Sequence, residues 1–278
     1  MKSMSGFEFE MRAAKHDFTP TYDQPWPHAY FQAHLALDYM ICDRAKPVFE
    51  DIIARLRRRR PHSPLKILDI GASYGLNAAL LRSALTLDDL YAAYTLPDGP
   101  LAVPRLEEHQ SFFSRQALRD DIEVIGLDPS RQALGYAREV GLIRRGVATN
   151  LETEELSGAD REVLRDVDLI ISTGCVGYAT ARTFRRVYEA TAASQPWVAS
   201  FAMHPFAYNE IAAALAEFSL LTIERPNLRQ RQRRFSTQQE RASILAIMRD
   251  LSMDDRLERT TGYIYAAFHL STPPDDAS

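Results

Sequence analysis

The sequence predicts an α/β protein with a doubly wound, mostly parallel sheet of seven strands. Short apolar runs alternate with segments in which apolar residues recur every three or four positions. Alternation of this kind implies parallel strands joined by crossover helices. The runs are almost wholly apolar, which is typical of strands covered by helices on both faces. In such sheets, ligands bind beyond the carboxyl ends of the strands.

The strands are expected at 65–70, 122–127, 147–149, 167–171, 197–203, 220–224 and 263–270. Helical stripes separate most of them, for example at 77–85 and 129–140. A further helix ahead of the first strand is expected to begin near Pro47, because proline suits a first helical turn. Its apolar face consists of Phe49, Ile52, Ile53 and Leu56.

Two segments lie outside this alternation. Residues 1–62 hold an aromatic arm and helices and are expected to form a lid or cap, with 63–278 as the α/β domain. Residues 87–120 lengthen the connection after the first strand and are expected to form helices near the substrate cleft. Two readings remain open for the aromatic group of the arm, a lid over a ligand or packing against the sheet; its members are Tyr22, Trp26, Tyr30 and Phe31.

Composition limits the function classes. The 278 residues are 46% hydrophobic and 25% charged, as in soluble globular proteins. A net charge of −4 does not favour a nucleic-acid partner. No apolar run approaches the ~18 residues of a membrane span, and the first residues are too acidic for a signal peptide, so a cytoplasmic location is expected. The two cysteines and seven scattered histidines indicate neither a disulfide framework nor a metal site.

The most informative segment is Leu68-Asp-Ile-Gly-Ala-Ser-Tyr-Gly75, at the end of the first strand. Gly71 and Gly75 permit a sharp turn and a close approach to a ligand. A dinucleotide site prefers three glycines, but Ser73 occupies the second position and no third glycine follows. Asp69 is unsuited to a phosphate and suited to a cationic amine.

Two further segments follow the second and fourth strands: Gly126-Leu-Asp-Pro-Ser130 and Asp168-Leu-Ile-Ile-Ser-Thr173. In this order, the three segments resemble the motifs of class I S-adenosylmethionine (SAM)-dependent methyltransferases, over about residues 63–205. The resemblance implies the Rossmann-like methyltransferase fold and SAM as the cofactor.

The resemblance also implies roles for matching residues. The backbone around Gly71 would contact the methionine portion, and Asp128 would accept the ribose hydroxyls. Asn150 would meet the adenine amino group. The implied cofactor-binding set is Asp69, Gly71, Ala72, Ser73, Tyr74, Gly75, Asp128, Pro129, Asn150, Leu151 and Thr173. One departure is the spacing: Asp69 to Asp128 is 59 positions, where about 20 is usual.

The candidate catalytic residues follow the fourth and fifth strands. Tyr178 would stack on a cation or donate a hydrogen bond, or else merely cap the core. His204 is the candidate general base because histidine titrates near neutral pH; its other reading is a hydrogen-bonded structural residue. Cys175 is expected to fill space.

The first functional hypothesis is methyl transfer from SAM to a small-molecule acceptor. An alternative keeps SAM but converts its own aminocarboxypropyl chain to a cyclic amino acid of the azetidine-2-carboxylate type, releasing methylthioadenosine. A second alternative is a non-catalytic binding protein of the same fold. The expected partner is a small-molecule substrate, not a nucleic acid or a membrane, and a homodimer is left open.

Overall fold

The computed structural model describes residues 21–61, 64–95 and 106–276. One seven-stranded sheet has the order β3-β2-β1-β4-β5-β7-β6. The pairs among β1 to β5 are parallel, whereas β7 is antiparallel to both of its neighbours. The strands are β1 (Leu65–Ile70), β2 (Ile122–Leu127), β3 (Arg145–Val147), β4 (Leu169–Thr173), β5 (Trp197–Met203), β6 (Leu221–Arg234) and β7 (Tyr263–Thr272). The predicted fold class is confirmed.

Helices join the strands and cover the sheet. Two precede it, α1 (His28–Ala36) and α2 (Ile41–Arg59). The helices between β1 and β5 are α3 (Leu76–Arg82), α4 (Leu87–Tyr94), α5 (Leu106–Ser114), α6 (Arg131–Glu139), α7 (Gly158–Val163) and α8 (Ala181–Thr191). The last three are α9 (Asn209–Ala216), α10 (Gln238–Asp250) and α11 (Arg256–Thr261). None of the helices in the described ranges is long and apolar enough to cross a membrane.

The start of α2 differs from the prediction. The helix begins at Ile41, and Pro47 lies in its interior, where it cannot donate a backbone hydrogen bond. The apolar face already starts with Ile41, Cys42 and Ala45, all buried in the core, while Pro47 is exposed. Burial of this longer face outweighs the missing bond.

Four strands also have other bounds than expected. β4 is Leu169–Thr173 rather than 167–171, and β7 continues to Thr272 rather than ending at 270. β3 ends at Val147 rather than continuing to Thr149. β6 runs to Arg234, ten residues beyond the predicted end, with irregular pairing between Arg225 and Gln230 and again between Arg231 and Arg233. β6 is an edge strand, and polar residues are tolerated along an edge, so an apolar pattern does not mark its second half.

The segment before β1 packs into the same hydrophobic cluster as the sheet. Tyr30, Phe31 and Phe49 share this cluster with Leu65 and Ile67 of β1. The predicted helices of the 87–120 segment are α4 and α5, and the cluster extends to them. Residues 1–20 of the arm and 96–105 of this segment lie outside the described residues.

Candidate functional site

A cavity of about 440 Å³ lies at the carboxyl ends of β1, β2 and β4. This is the position expected for a ligand in a doubly wound sheet. Its floor is formed by residues that directly follow the strands. Its cover comes from two distant parts of the chain, the segment from Tyr22 to Cys42 and the end of β6.

The glycine turn after β1 has the tight geometry that its sequence predicts. Gly71 and Gly75 have φ values of +77° and +84°. A Cβ at Gly71 would lie 2.6 Å from the Cβ of Cys175, so this position has no room for a side chain. Gly71 N and Ala72 N donate to the carbonyl oxygen of Leu127 at 2.8 and 3.2 Å, which ties the turn to the end of β2.

Asp128 follows β2 and joins the glycine turn directly. Its Oδ2 accepts a hydrogen bond from Ser73 N, and its Oδ1 accepts one from Ser130 N, both at 2.9 Å. Burial raises the pKa of this carboxyl, and the two backbone donors partly oppose the rise. Each oxygen retains acceptor capacity for a ligand. Ser130 caps α6 and also donates to Asp23 Oδ1 at 3.0 Å, which brings a second carboxylate from the covering segment.

Asp69 is buried immediately behind the wall of the cavity, and Asn77 separates it from the space. Asn77 Nδ2 donates to Asp69 Oδ1 and to Thr173 Oγ1, at 3.0 Å each. The second oxygen of Asp69 is buried with no hydrogen-bond partner among the described residues. Burial therefore raises the pKa of Asp69 to about 7, although the Asn77 bond lowers it. A buried carboxylate oxygen without a donor is suited to a cationic ligand.

The loop after β3 lines the end of the cavity near Asp128. Asn150 Oδ1 accepts a hydrogen bond from Glu152 N at 3.1 Å, which shapes the loop. The Glu152 carboxylate accepts bonds from Thr180 N, Thr180 Oγ1 and Thr183 Oγ1 at 2.8, 2.8 and 2.6 Å. No motif in the sequence singles out Glu152, which anchors this loop to the start of α8.

Eight of the thirteen predicted site residues line the cavity. These are Gly71, Ala72, Asp128, Pro129, Asn150, Leu151, Thr173 and Tyr178. Asp69, Ser73, Tyr74 and Gly75 lie behind the lining, in contact with residues that form it. Tyr178 is half exposed at the opening.

His204 is separated from the cavity. Its Nδ1 lies 2.7 Å from Glu258 Oε1 of α11, and both side chains are buried. Its backbone N–H donates to Tyr265 O of β7 at 2.8 Å. His204 does not line the cavity, whereas a different histidine, His34 of α1, does.

The aromatic arm contributes side chains both to the cavity lining and to the core. Tyr22 and Tyr30 line the cavity, with ring centroids 5.2 Å apart. Phe31 stacks on Tyr94 of α4 at 4.5 Å and is core packing. The arm is held to the glycine turn by the Tyr74 hydroxyl, which donates to Gln24 O at 2.8 Å and accepts from Gln24 N at 3.0 Å.

The charged lining is acidic. Asp23, Asp128 and Glu152 line the cavity, and Arg233 is the one lysine or arginine among the described lining residues. Arg233 is fully buried and makes two bonds to the Glu240 carboxylate, at 2.7 and 3.0 Å. The cavity therefore favours a cation over a phosphate.

The strand order with an antiparallel β7, the glycine turn and the acid after β2 occur together. The chain has the Rossmann-like methyltransferase fold. No protein-family model matches it, and no curated protein matches it.

Three of the solved structures with similar folds are methyltransferases. The plantazolicin methyltransferase BpumL, in complex with a desmethyl analogue and S-adenosylhomocysteine (SAH), is 10% identical, with a TM-score of 0.48 over 97% of this chain and 98% of that one. A TehB-like SAM-dependent methyltransferase from Corynebacterium glutamicum is 15% identical, with a TM-score of 0.40 over 79% and 86%. The magnesium protoporphyrin IX methyltransferase from Synechocystis, with bound SAM, is 12% identical, with a TM-score of 0.40 over 97% and 92%.

Proposed function

We propose that the protein is a SAM-dependent methyltransferase that acts on a small-molecule acceptor. The observation that carries the proposal is the meeting of the glycine turn and Asp128 at one cavity, fixed by the 2.9 Å bond from Ser73 N to Asp128 Oδ2. A carboxylate beside a glycine turn offers acceptors for two neighbouring hydroxyls and backbone for a close contact.

The residues present fit SAM along the whole cavity. Asp128 would accept the ribose hydroxyls, and Asn150 and Leu151 would flank the adenine. Asp69 lies behind Asn77, so its carboxylate would stabilise the ammonium group by its charge, without direct contact. When bound, SAM supplies a methyl carbon made electrophilic by a positively charged sulfur.

The charge of the lining supports a cationic ligand over a dinucleotide. The carboxylates of Asp23, Asp128 and Glu152 attract positive charge. The guanidinium of Arg233 is neutralised by Glu240 and is not available to a pyrophosphate.

The chain's own contribution to the reaction is to enclose and orient. Tyr22, Tyr30 and Tyr39 cover the cavity and exclude water. Tyr178, at the opening, presents a ring that can stack on a cation. Holding two reactants in the correct geometry is itself worth roughly 7–11 kcal/mol in favourable cases.

The proposal also covers the role of the N-terminal segment, the cellular location, the partner and the oligomeric state. We assign residues 1–62 the role of a cap, supported by the lining side chains of Tyr22, Tyr30 and His34. We place the protein in the cytoplasm, acting on a small molecule rather than on a nucleic acid or a membrane. We also propose a homodimer, which a measurement of the protein's mass in solution tests.

Substitution of Asp128 tests the proposal. Asp128→Asn is expected to weaken binding of SAM and SAH about 10- to 100-fold, because charge-assisted hydrogen bonds are worth about 1.5–3 kcal/mol. Isothermal titration calorimetry measures the affinity. The control is Asp168→Asn, an equally buried carboxylate that directly precedes β4 and accepts from Lys66 N at 2.8 Å, at the amino ends of the strands and away from the cavity. Equal affinity in Asp128→Asn and the wild type would contradict the ribose assignment.

One observation favours the cyclisation alternative. A cavity of about 440 Å³ is in the lower part of the ~300–1,000 Å³ range of ligand sites, and aromatic rings cover it, so little space is left for an acceptor beside SAM. Two incubations separate the alternatives, one with SAM alone and one with SAM and a candidate acceptor. Methylthioadenosine formed without an acceptor supports cyclisation, SAH formed only with an acceptor supports transfer, and SAM recovered unchanged in both arms supports a binding protein.

A further inference from the structure

We propose that His28 and His109 form an acid-sensitive latch, which holds the cap over the cavity while both imidazoles are neutral and releases it when they are protonated. The inference goes beyond the proposed reaction and rests on the role of residues 1–62 as a cap. The latch consists of the two imidazoles and the three aromatic rings around them; its members are Trp26, His28, Tyr94, His109 and Tyr136. Sequence analysis assigned no role to either histidine.

The latch joins the cap to helices of the α/β domain. His28 is the first residue of α1, and the centroid of its ring lies 5.4 Å from that of His109 in α5 and 5.9 Å from that of Tyr94 in α4. Trp26 meets the rings of His109 and Tyr136 edge-on, at 5.9 and 6.5 Å. Since Tyr136 belongs to α6, these contacts connect the start of α1 to three helices of the domain.

The latch belongs to the same short segment that covers the cavity. Tyr22 and Tyr30, which line the cavity, flank Trp26 and His28 in the chain. Gln24 lies between them and is held to the glycine turn through both of its backbone groups. No member of the latch is among the described residues that line the cavity. Movement at the latch therefore reaches the cavity through the chain and not through a direct contact with the ligand.

Neither imidazole has an acceptor for a proton on Nε2. The Nε2 atoms of His28 and His109 are both buried, and neither has a hydrogen-bond partner among the described residues. His109 Nδ1 lies 3.0 Å from the Tyr136 hydroxyl, which lies 2.6 Å from the Tyr94 hydroxyl. An imidazolium carries a proton on both nitrogens, so protonation would place an N–H without an acceptor at each Nε2. A buried donor of this kind is costly, and more so when it is charged.

The rings around the two imidazoles offer no compensating charge. The phenols of Tyr94 and Tyr136 are uncharged near pH 7, because burial raises their pKa values well above the usual range. Two imidazolium rings with centroids 5.4 Å apart would repel each other. His28 also stands at the amino end of α1, where the partial positive charge of the helix disfavours a further cation.

The carboxylates near His109 are those of Glu108 in the same helix and Asp89 in α4, which line a surface pocket together with it. Both are exposed, so solvent screens their attraction to the imidazole. Burial is the larger effect. It lowers the pKa of His109 to about 4, with a further contribution from His28, and it also lowers the pKa of His28.

The lowered pKa values couple closure of the cap to pH. In an open cap both imidazoles reach solvent and have the usual histidine pKa of about 6.5. The open form therefore binds protons more tightly than the closed form. Closure is fully favoured above about pH 6.5 and loses this advantage as the pH falls toward 4. Acidification thus opens the latch.

The first measurement follows Trp26 in the full chain labelled with 5-fluorotryptophan. The protein has two tryptophans, so ¹⁹F NMR gives two signals. Trp197 is the internal reference, because it is fully buried in β5 and its Nε1 donates to Asp276 Oδ2 at 2.8 Å. The change in each signal between H₂O and D₂O reports the exposure of that ring to solvent, and therefore the opening of the cap at Trp26.

Two variants separate the latch from other histidines. H28F/H109F keeps a ring at both positions and cannot be charged there. H269F is the matched control, because burial also lowers the pKa of His269 to about 4. The ring of His269 stacks at 4.3 Å on Tyr208, which belongs to a different hydrophobic cluster from the cap.

The second measurement is the dissociation of methylthioadenosine by stopped flow. This ligand lacks the amino-acid portion that the charge of Asp69 would attract, so the titration of Asp69 does not enter. Protonation of Asp128 would act equally in the wild type and in the variants. Only the difference between them is assigned to the latch.

We expect the solvent exposure of Trp26 to increase as the pH falls from about 7.5 to about 5, while the Trp197 signal stays constant. Methylthioadenosine should leave the wild type and H269F about tenfold faster at the lower pH, because protonation favours the open cap. H28F/H109F should show an acceleration of no more than about twofold and no change at Trp26.

A Trp26 signal that does not respond to pH, or that responds equally in H28F/H109F, overturns the latch. Release of methylthioadenosine at the same rate at both pH values, or a response that H269F abolishes, overturns it as well. If the wild type does not bind methylthioadenosine at all, the proposed function is wrong, and the exposure of Trp26 alone decides on the latch.

Discussion

Asp69 is a carboxyl group in a place where ionisation is unfavourable. Burial raises its pKa to about 7, and one of its oxygens lacks a donor. A cationic ligand nearby would favour the ionised form, so binding and deprotonation are coupled. The residue therefore links ligand affinity to pH in the neutral range.

We expect SAH affinity to rise as the pH increases from 6 through 7, by up to about tenfold per pH unit, because binding then releases a proton from Asp69. Above about pH 8 Asp69 is already ionised in the free protein, so binding releases no proton from it and the gain ends. Asp69→Asn should remove the dependence below pH 7. Calorimetry in buffers of different ionisation enthalpy counts the protons released.

Methylthioadenosine is the control ligand for this prediction, because it lacks the amino-acid portion. Its affinity should not follow the titration of Asp69. An equal pH slope for SAH in the wild type and in Asp69→Asn would show that another group is responsible.

The close contact at Gly71 gives a second prediction at this scale. Gly71→Ala should lower the free energy of unfolding by about 2–5 kcal/mol for two reasons. The new Cβ would collide with Cys175, and a φ of +77° is unfavourable for alanine. Gly141→Ala is the matched control, with a φ of +80° and no atom within 4 Å of the added Cβ, and should cost only about 1–2 kcal/mol. Urea denaturation measures both. Equal losses in the two variants would mean that the contact with Cys175 relaxes freely.

Site residues that directly follow an apolar strand could be predicted from the sequence. Gly71 and Asp128 directly follow apolar strands, so sequence alone placed them at one edge of the sheet, and the structure brings them together. His34 and Gln232 come from elements that reach the cavity only through tertiary packing. Gln232 lies in a polar run with no apolar pattern, and only the spacing of Tyr30 and His34 on one helical turn was a usable signal.

Among the elements, β6 is an edge strand whose last residues form part of the cavity wall. Its last residues return to the cavity after two irregularities in pairing with β7. The buried pair of Arg233 and Glu240 fixes this end of the strand to α10, and Glu240 also accepts from Ser236 N at 2.6 Å. The position of Gln232 depends on this anchor.

Removal of one partner of the Arg233–Glu240 pair should therefore destabilise the protein. Glu240→Ala is expected to lower the free energy of unfolding by about 3–5 kcal/mol, because it removes the carboxylate that balances the buried charge of Arg233. Arg233→Met combined with Glu240→Leu should recover most of the loss, since no charge is then buried. Glu217→Ala breaks an exposed pair with Arg185 and should have no measurable effect. Chemical denaturation compares the variants; a double variant no more stable than Glu240→Ala would refute the explanation.

Strands with an apolar pattern were predictable as elements, and the polar part of β6 was not. β5 has the predicted bounds, 197–203, because every residue in it is buried. The second half of β6 consists mainly of arginine and glutamine, and its strand geometry is imposed by pairing with β7. Likewise, Pro47 suggested a helix start, but tertiary burial of Ile41 and Cys42 extends α2 past it.

For the whole molecule, closure of the cavity depends on contacts between the arm and the sheet. The Tyr74 hydroxyl holds both backbone groups of Gln24, and Ser130 holds Asp23. These bonds fix the strand-end floor to its cover. The arm is thus positioned by the same residues that shape the cofactor side of the cavity.

We expect Tyr74→Phe to speed dissociation of SAH by about tenfold, because loss of the two bonds to Gln24 weakens closure by about 1–2 kcal/mol. Stopped-flow dissociation gives the rate, and hydrogen exchange at the Gln24 amide should rise in the same variant. Tyr94→Phe is the control, a buried tyrosine whose hydroxyl lies 2.6 Å from that of Tyr136, outside the cavity. Similar rates in Tyr74→Phe and the wild type would indicate that the arm does not limit release.

The bonds between the turn after α1 and β6 bear on any attempt to trim the protein. Met40 N donates to Gln232 O at 2.8 Å, and Arg234 N donates to Leu37 O at 2.7 Å. These few residues shield the outer backbone of the sheet's last strand, as a neighbouring strand would. A shortened version starting at β1 would lose this shield together with His34, and its bare strand edge would invite association between molecules. Any shortened version of this protein therefore has to keep residues 28–61 as well as the sheet.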